Sequence, residues 1–252
     1  MAHTPANRRS KTPGSRPNRL AGLFAAASLL IFPLEARAEP CSLALVVALD
    51  VSASVDAREY DLQLTGLANA LQDPLVVEAI NSVGGIWFSS FEWSGHYQQK
   101  TLLDWRFLTG ENSVAAAAVE LADNTRSHKE FMTALGYALA HGSRVLRNAP
   151  SPCQRLVIDV SSDGANNTGF EPEIAYRDAS FLNVTVNALV ILNDEHTDDY
   201  FAEKVIRGPG AFVEVTASYD DYQTAMTRKL LREIGTKLLA QNASDRNHPI
   251  AD

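Results

Sequence analysis

Leu43-Ala44-Leu45-Val46-Val47-Ala48-Leu49-Asp50-Val51-Ser52-Ala53-Ser54 is the stretch on which the fold turns. An apolar run without alternation from Leu43 to Leu49 has the pattern of a strand buried on both faces, as in a parallel sheet covered by helices. The run stops at an aspartate and passes into two serines, each two positions further on. In open α/β sheets, ligands bind beyond the carboxyl ends of the strands. Asp50, Ser52 and Ser54 therefore stand where a site is expected.

Outward from this stretch, strands alternate with helices. Asp56 and Glu59 form a plausible capping pair for a helix reaching about Gln72, with Tyr60, Leu64, Leu67 and Leu71 at helical spacing. Asp73-Pro74 interrupts it, and residues 75–80 are expected to add one more turn. Residues 86–93 and 101–107 are apolar mainly at odd positions (Trp87, Phe91, Trp93, Leu103, Trp105, Phe107), with Glu92, Asp104 and Arg106 at even ones. That period of two predicts a pair of half-buried strands, antiparallel to each other. Helices are expected over about 113–122 and 133–146, the second opened by Thr133. Residues 155–160 form the next buried strand, ending in Ser161-Ser162-Asp163-Gly164. Strands at 184–192 and 212–217, a short helix at 199–206 and a long helix at 219–239 complete the series. This alternation predicts one α/β domain with a mostly parallel sheet over residues 39–241, followed by a flexible polar tail, 242–252.

Composition sets the class. The 252 residues are 46% hydrophobic and 21% charged, which excludes intrinsic disorder. Residues 1–38 hold six Lys or Arg and one acid, so the net charge of −8 leaves −13 on the remaining chain. A body so acidic repels phosphate backbones and anionic lipid, and nucleic-acid binding is not expected. Two cysteines exclude a disulfide-dense scaffold and a four-cysteine zinc site. The positive end has the three parts of a secretory signal: basic residues to Arg19, an apolar stretch from Leu20 to Phe32, and Ala36-Arg37-Ala38. The apolar stretch is shorter than the roughly 20 residues that span a bilayer. Cleavage after Ala38, no stable membrane insertion after processing, and a periplasmic or secreted bacterial product are the expectations.

Asp50, Ser52 and Ser54 after the first strand, Thr133 before a helix and Asp163 after another strand make an all-oxygen set. Two carboxylates and three hydroxyls suit a hard cation, Mg²⁺ or Mn²⁺, and the lack of His or Cys disfavours zinc. Ser54, Asp56 and Thr133 also have the residue types of helix N-caps. Trp87, Phe91, Trp93 and Trp105 are expected to pack against the sheet. His96, His128, His141 and His196 show no ligand spacing. Asn166-Asn167 has two readings, a rim of the site or a simple turn, and Asp194, Glu195, Asp198 and Asp199 read as a solvated helix entrance.

Asp50-x-Ser52-x-Ser54, Thr133 in Thr-Ala-Leu-Gly-Tyr-Ala-Leu, and Asp163-Gly164 after an apolar strand resemble the von Willebrand factor type A domain over about residues 42–240. Asp50 to Glu59, Glu92-Trp93-Ser94-Gly95, Asp163 to Asn167 and Gly208 to Phe212 resemble one bacterial branch of it, domain of unknown function 1194. The resemblance implies a doubly wound, mostly parallel central sheet with one antiparallel edge strand and helices on both faces. It also implies a metal-ion-dependent adhesion site: hydroxyls of Ser52, Ser54 and Thr133 on the ion, Asp50 and Asp163 close by and partly through water, and an open position for a partner protein's acidic side chain. One departure is Glu130-Phe131-Met132 before Thr133, where that family often has glycines; Glu130 is a carboxylate within reach of the open position. If Asp50 and Asp163 end adjacent parallel strands, as the resemblance implies, Cys41 and Cys153 start them, and a Cys41–Cys153 disulfide is expected with the strands staggered by one residue.

The function expected is therefore an exported binding module rather than an enzyme. The alternatives are a metal-dependent phosphatase or phosphotransferase with Asp50 as nucleophile, and a structural domain with a vestigial metal site. For the enzyme, the acid expected two residues after the nucleophile is replaced by Ser52, and no nucleophile elbow or phosphate-cradling glycine loop is present.

Overall fold

The computed structural model describes residues 41–193 and 196–246. The expected export signal and its cleavage point, Asp194 and Glu195, and residues 247–252 lie outside the described residues. Six strands, β1 (Cys41–Asp50), β2 (Ile86–Trp93), β3 (Gln99–Leu108), β4 (Cys153–Ser162), β5 (Val184–Ile191) and β6 (Val213–Thr216), form one sheet in the order β3-β2-β1-β4-β5-β6. All pairings are parallel except β2 with β3, so β3 is the antiparallel edge strand. The longer helices are α1 (Ala57–Leu71), α2 (Pro74–Ser82), α3 (Gly110–Ala122), α4 (Leu135–Arg147) and α7 (Tyr222–Arg246), with the short α5 (Pro172–Ala175) and α6 (Thr197–Tyr200) between.

β1 is central, and its alternate side chains enter two different cores. Leu43, Leu45, Val47 and Leu49 pack with Leu64 and Leu67 of α1, Ile80 of α2, Val114 of α3 and Leu230 of α7. Ala44, Val46 and Ala48 face the other way, toward Leu135 and Leu139 of α4 and Phe201. The smaller residues lie on the α4 side, where the approach is close: a Cβ on Gly142 would stand 3.3 Å from Ile158 of β4. Helix starts follow local chemistry. Asp56 accepts from Glu59 N (2.8 Å) while Glu59 accepts from Asp56 N (2.7 Å), a complete capping box for α1. Asp73 caps α2, with Pro74 in the first turn where its missing N–H costs nothing.

Several boundaries differ from the sequence pattern. α2 is a helix of 9 residues, not a single further turn. β2 is not half-buried; it lies between β1 and β3 with Ile86 and Phe88 in one core and Phe91 and Trp93 in the other. Even Glu92 is buried there, accepting from Tyr60 Oη (3.1 Å) and Ser127 N (2.7 Å). α4 begins at Leu135, so Thr133 sits in the preceding loop, and α7 continues past Leu239 to Arg246. Trp93 and Phe91 are core residues, and Trp87 and Trp105 pack on the edge of that core. His141 packs against Phe91 with the rings tilted and their centroids 4.6 Å apart, and its burial lowers its pKa to about 4.

A polar knot ties α7 to the sheet. Lys229 of α7 is buried and paired with Asp159 of β4 (2.8 Å) and Glu233 (3.0 Å), while Asn187 of β5 donates to Glu233 (2.7 Å). Arg155 also donates to Glu233 O (2.6 Å), and burial raises the Asp159 pKa against the opposing pull of Lys229.

At the opposite end of β1, Cys41 and Cys153 are bonded, with 4.5 Å between their Cα atoms. They stand directly opposite each other in the β1–β4 register. The expected one-residue stagger at the cysteines is thus absent; Leu49 pairs with Ser161, which leaves Asp163 one residue beyond the position opposite Asp50. The bond closes a loop of 112 residues. Replacing both cysteines by alanine should lower the unfolding free energy by about 4–5 kcal/mol, the loop-entropy value for such a span. Urea unfolding of the oxidised protein against the double variant checks this, and two titratable thiols in the denatured, unreduced protein would contradict it.

Candidate functional site

The carboxyl ends of β1 and β4 bring the five oxygen-bearing residues together. Asp50 ends β1 fully buried, with Oδ1 accepting from Ser52 N (2.8 Å) and Oδ2 from Ser162 Oγ (2.5 Å). Its two oxygens are thus committed to shaping the loop that follows. Within that loop Ser52 Oγ and Ser54 Oγ are 3.3 Å apart, and Ser54 Oγ donates to Asp163 Oδ1 (2.9 Å). Thr133 Oγ1 completes the chain, donating to Ser52 Oγ at 3.2 Å. The hydroxyl–hydroxyl separations exceed the roughly 2.7–2.8 Å of a good O–H···O bond, so these mutual bonds are weak ones. Ser52, Thr133 and Asp163 are buried and Ser54 is exposed, which leaves the cluster open to solvent on one side.

Other residues hold this geometry. Asn167 Oδ1 accepts from Thr133 N (2.8 Å), and Asn167 N donates back to Thr133 O (3.0 Å). Asn166 Oδ1 accepts from Leu135 N (2.8 Å), capping the start of α4. Both asparagines therefore shape the site while turning the chain. Gly136, in the first turn of α4, is required by the same packing: a Cβ there would lie 2.0 Å from Phe170 O. Arg126 donates to Val51 O (2.8 Å) and Ser52 O (2.9 Å), bracing the backbone of the serine loop. Its partners are carbonyl groups about 75 residues away in sequence, so no local pattern marked it. Glu130 is exposed and turns its carboxylate to the Lys129 N–H (3.1 Å), within its own loop.

Arg126 is the cation that the described residues place on the serine loop, and it is bonded to backbone carbonyls rather than to either carboxylate. Among the described residues no Lys or Arg is paired with Asp50 or Asp163. Burial first, then repulsion by Asp163, raises the Asp50 pKa to about 7, and burial also raises Asp163. The buried Tyr219 hydroxyl lies in the field of Asp163, Asp50 and Glu59, and it is turned to Asp163, where hydrogen bonding to the phenol partly offsets the effect of burial on that carboxyl. Two neighbouring carboxyls, both raised by burial and Asp50 also by repulsion from Asp163, fit a hydrated cation, which would supply positive charge between them. No group of three or more His, Cys, Asp or Glu gathers as a metal cluster among the described residues. The donor set is thus three hydroxyls and two carboxylates, all oxygen, which is the ligand type of a hard divalent ion that keeps some of its waters.

The raised carboxylates have a pH consequence. Asp50 is protonated more readily folded than unfolded, so the metal-free protein should lose stability as pH rises from about 4 to about 7. The loss attributable to Asp50 is on the order of 4 kcal/mol and levels off above that window. Asp50→Asn should flatten much of the decline, as measured by urea midpoints in EDTA at pH 4.5, 6 and 7.5. A variant as pH-dependent as the parent would contradict the assignment.

A doubly wound sheet with one antiparallel edge and an Asp-x-Ser-x-Ser loop facing Thr133 and Asp163 has the architecture of von Willebrand factor type A domains. The chain belongs to the family described as protein of unknown function (DUF1194), which matches residues 40–238. No curated protein matches the sequence. Solved structures share the fold at low identity. A von Willebrand factor type A protein from Catenulispora acidiphila is 16% identical with a TM-score of 0.53, covering 77% of this chain and 43% of that one. Proximal thread matrix protein 1 from the mussel byssus is 17% identical with a TM-score of 0.58, covering 79% of this chain and 49% of that one. A form of that mussel protein is described with a zinc-occupied MIDAS motif, at 17% identity and a TM-score of 0.52, covering 78% of this chain and 48% of that one. The pilus adhesin SpaC from Lactobacillus rhamnosus GG is 14% identical with a TM-score of 0.54, covering 77% of this chain and 30% of that one. This chain thus spans less than half the length of each of these four structures.

Proposed function

We propose that this protein is an exported binding module that captures a partner protein through a divalent cation, Mg²⁺ or Mn²⁺. Ser52, Ser54 and Thr133 would hold the ion by their hydroxyls, and Asp50 and Asp163 would supply charge beside it. The observation that carries this reading is the convergence of three hydroxyls on two buried carboxylates that no described cation neutralises. An ion with so few charged protein ligands stays electrophilic, and an acidic side chain of a partner is the natural further ligand. The zinc-occupied motif of the mussel protein and the adhesin among the fold relatives support the same reading. The phosphatase alternative is disfavoured because Asp50 is fully buried with both oxygens bonded, unable to reach a substrate.

Melting of the EDTA-stripped protein with Mg²⁺, Mn²⁺ or Zn²⁺ tests the site. A cation at 100 times its Kd should raise the midpoint by about 5–10 °C. Asp163→Ala should abolish that rise and metal-dependent partner capture while melting, without metal, no lower than the parent. Capture that survives both EDTA and Asp163→Ala would reject the reading and leave a structural domain.

Export is the second half of the proposal. The Cys41–Cys153 bond suits an oxidising compartment. No helix among the described residues is long and apolar enough to cross a membrane. Mass spectrometry of the cellular protein should show a chain beginning at Glu39, and an intact N-terminus would contradict cleavage after Ala38.

A further inference from the structure

The loop that delivers Thr133 also carries Phe131 and Met132, in place of the glycines common before that threonine. Phe131 is half-buried, its carbonyl accepting from Ala53 N (2.8 Å), so its backbone is fastened to the serine loop. Met132 is 52% exposed, and Tyr97, across from it, is 84% exposed, more than any other large apolar side chain described. Gly95, His96, Tyr97, Gln98, Phe131, Met132 and Thr168 line a groove of about 280 Å³. Behind it the aromatic rings are layered: His96 stacks on Tyr137 at 4.5 Å, and Tyr137 meets Phe170 at 4.2 Å. Thr168 is held 3.2 Å from His96 Nε2. At Gly169 (φ +76°) a Cβ would lie 2.6 Å from the Tyr137 ring, so this wall is closely fitted.

The groove and the hydroxyl cluster share their walls. Met132 precedes Thr133 in the chain, and Thr168 follows the Asn167 that binds Thr133 N. A chain whose carboxylate reaches the cluster has the groove beside Met132 within the span of its next one or two residues, since successive Cα atoms are about 3.8 Å apart. No Asp, Glu, Lys or Arg lines the groove, so a flanking charge would find no counter-charge there, whereas an apolar side chain would be desolvated on both sides.

We propose that the partner presents its acidic residue within a peptide segment carrying an aromatic or long aliphatic side chain one or two positions away, and that this side chain occupies the groove. The inference rests on the metal-capture reading above and adds the partner's local sequence.

The probe is a displayed library of random peptides with a fixed central Asp, selected on the full chain in Mg²⁺ and eluted with EDTA. The expected result is enrichment of Phe, Tyr, Trp, Leu or Met within two positions of the Asp. The double variant Tyr97→Ser, Met132→Ser alters exposed side chains outside the ion's ligands. It should bind the selected peptides about tenfold more weakly, the loss expected on uncovering one such side chain, and keep the Mg²⁺-induced rise in melting temperature. Enrichment with no flanking preference, a preference for Lys or Arg, or undiminished binding by the double variant would overturn the inference alone. So would a Mg²⁺-induced melting shift with no EDTA-sensitive enrichment. Neither shift nor enrichment would overturn the metal-capture reading and this inference with it.

Discussion

The in-register parallel pairing of β1 with β4 is the constraint from which the rest of the structure follows. One end of the pair is closed by the Cys41–Cys153 bond, and the other by Ser162 donating to Asp50. Because β1 is buried on both faces and flanked by strands on both edges, Asp50 cannot tilt or slip without disturbing two cores at once. A one-residue slip would send Leu43, Leu45, Val47 and Leu49 to the α4 side, where the smaller Ala44, Val46 and Ala48 now fit. The register that satisfies packing is also the register that sets Asp163 one residue beyond the position opposite Asp50, where Ser54 of the loop after β1 donates to it.

That placement costs stability, and under the proposed function it is also what makes room for a cation. Two carboxylates are held in a buried, uncompensated pair, and the fold tolerates them because the surrounding donors are fixed from outside the cluster. Arg126 braces the serine loop by its carbonyls, and the asparagines brace Thr133 and the start of α4. These supports leave the hydroxyl oxygens directed at one another over distances too long for good mutual bonds, as preorganisation for an external ion would have them.

Much of this was legible in the sequence because it rested on local patterns. The uninterrupted apolar run of β1 marked a strand covered on both faces, and Asp56 with Glu59 marked the start of α1. The five oxygen-bearing residues were found by their places after strands and before a helix, together with a family resemblance. What escaped depended on three-dimensional neighbours. The buried state of β2 was hidden because Glu92 reads as a solvent-facing residue until Tyr60 and Ser127 are seen beside it. The Lys229–Asp159–Glu233 knot spans β4 and α7, and neither element betrays it alone. The stagger at the cysteines was misplaced because counting residues from each aspartate assumes that the two end their strands level, whereas β4 ends at Ser162 and Asp163 lies one step outside. Tyr219 and Arg126 carried no local signal, since each acts on the site from a distant segment.

The central claim is that the uncompensated carboxylates and the converging hydroxyls form one cation site. Calorimetric titration of Mn²⁺ into the EDTA-stripped protein measures this directly. One saturable site is expected, lost in Asp163→Ala and weakened in the Ser52→Ala, Ser54→Ala double variant. Absence of Mn²⁺ binding by the folded parent, or a site left intact by all three substitutions, would contradict it.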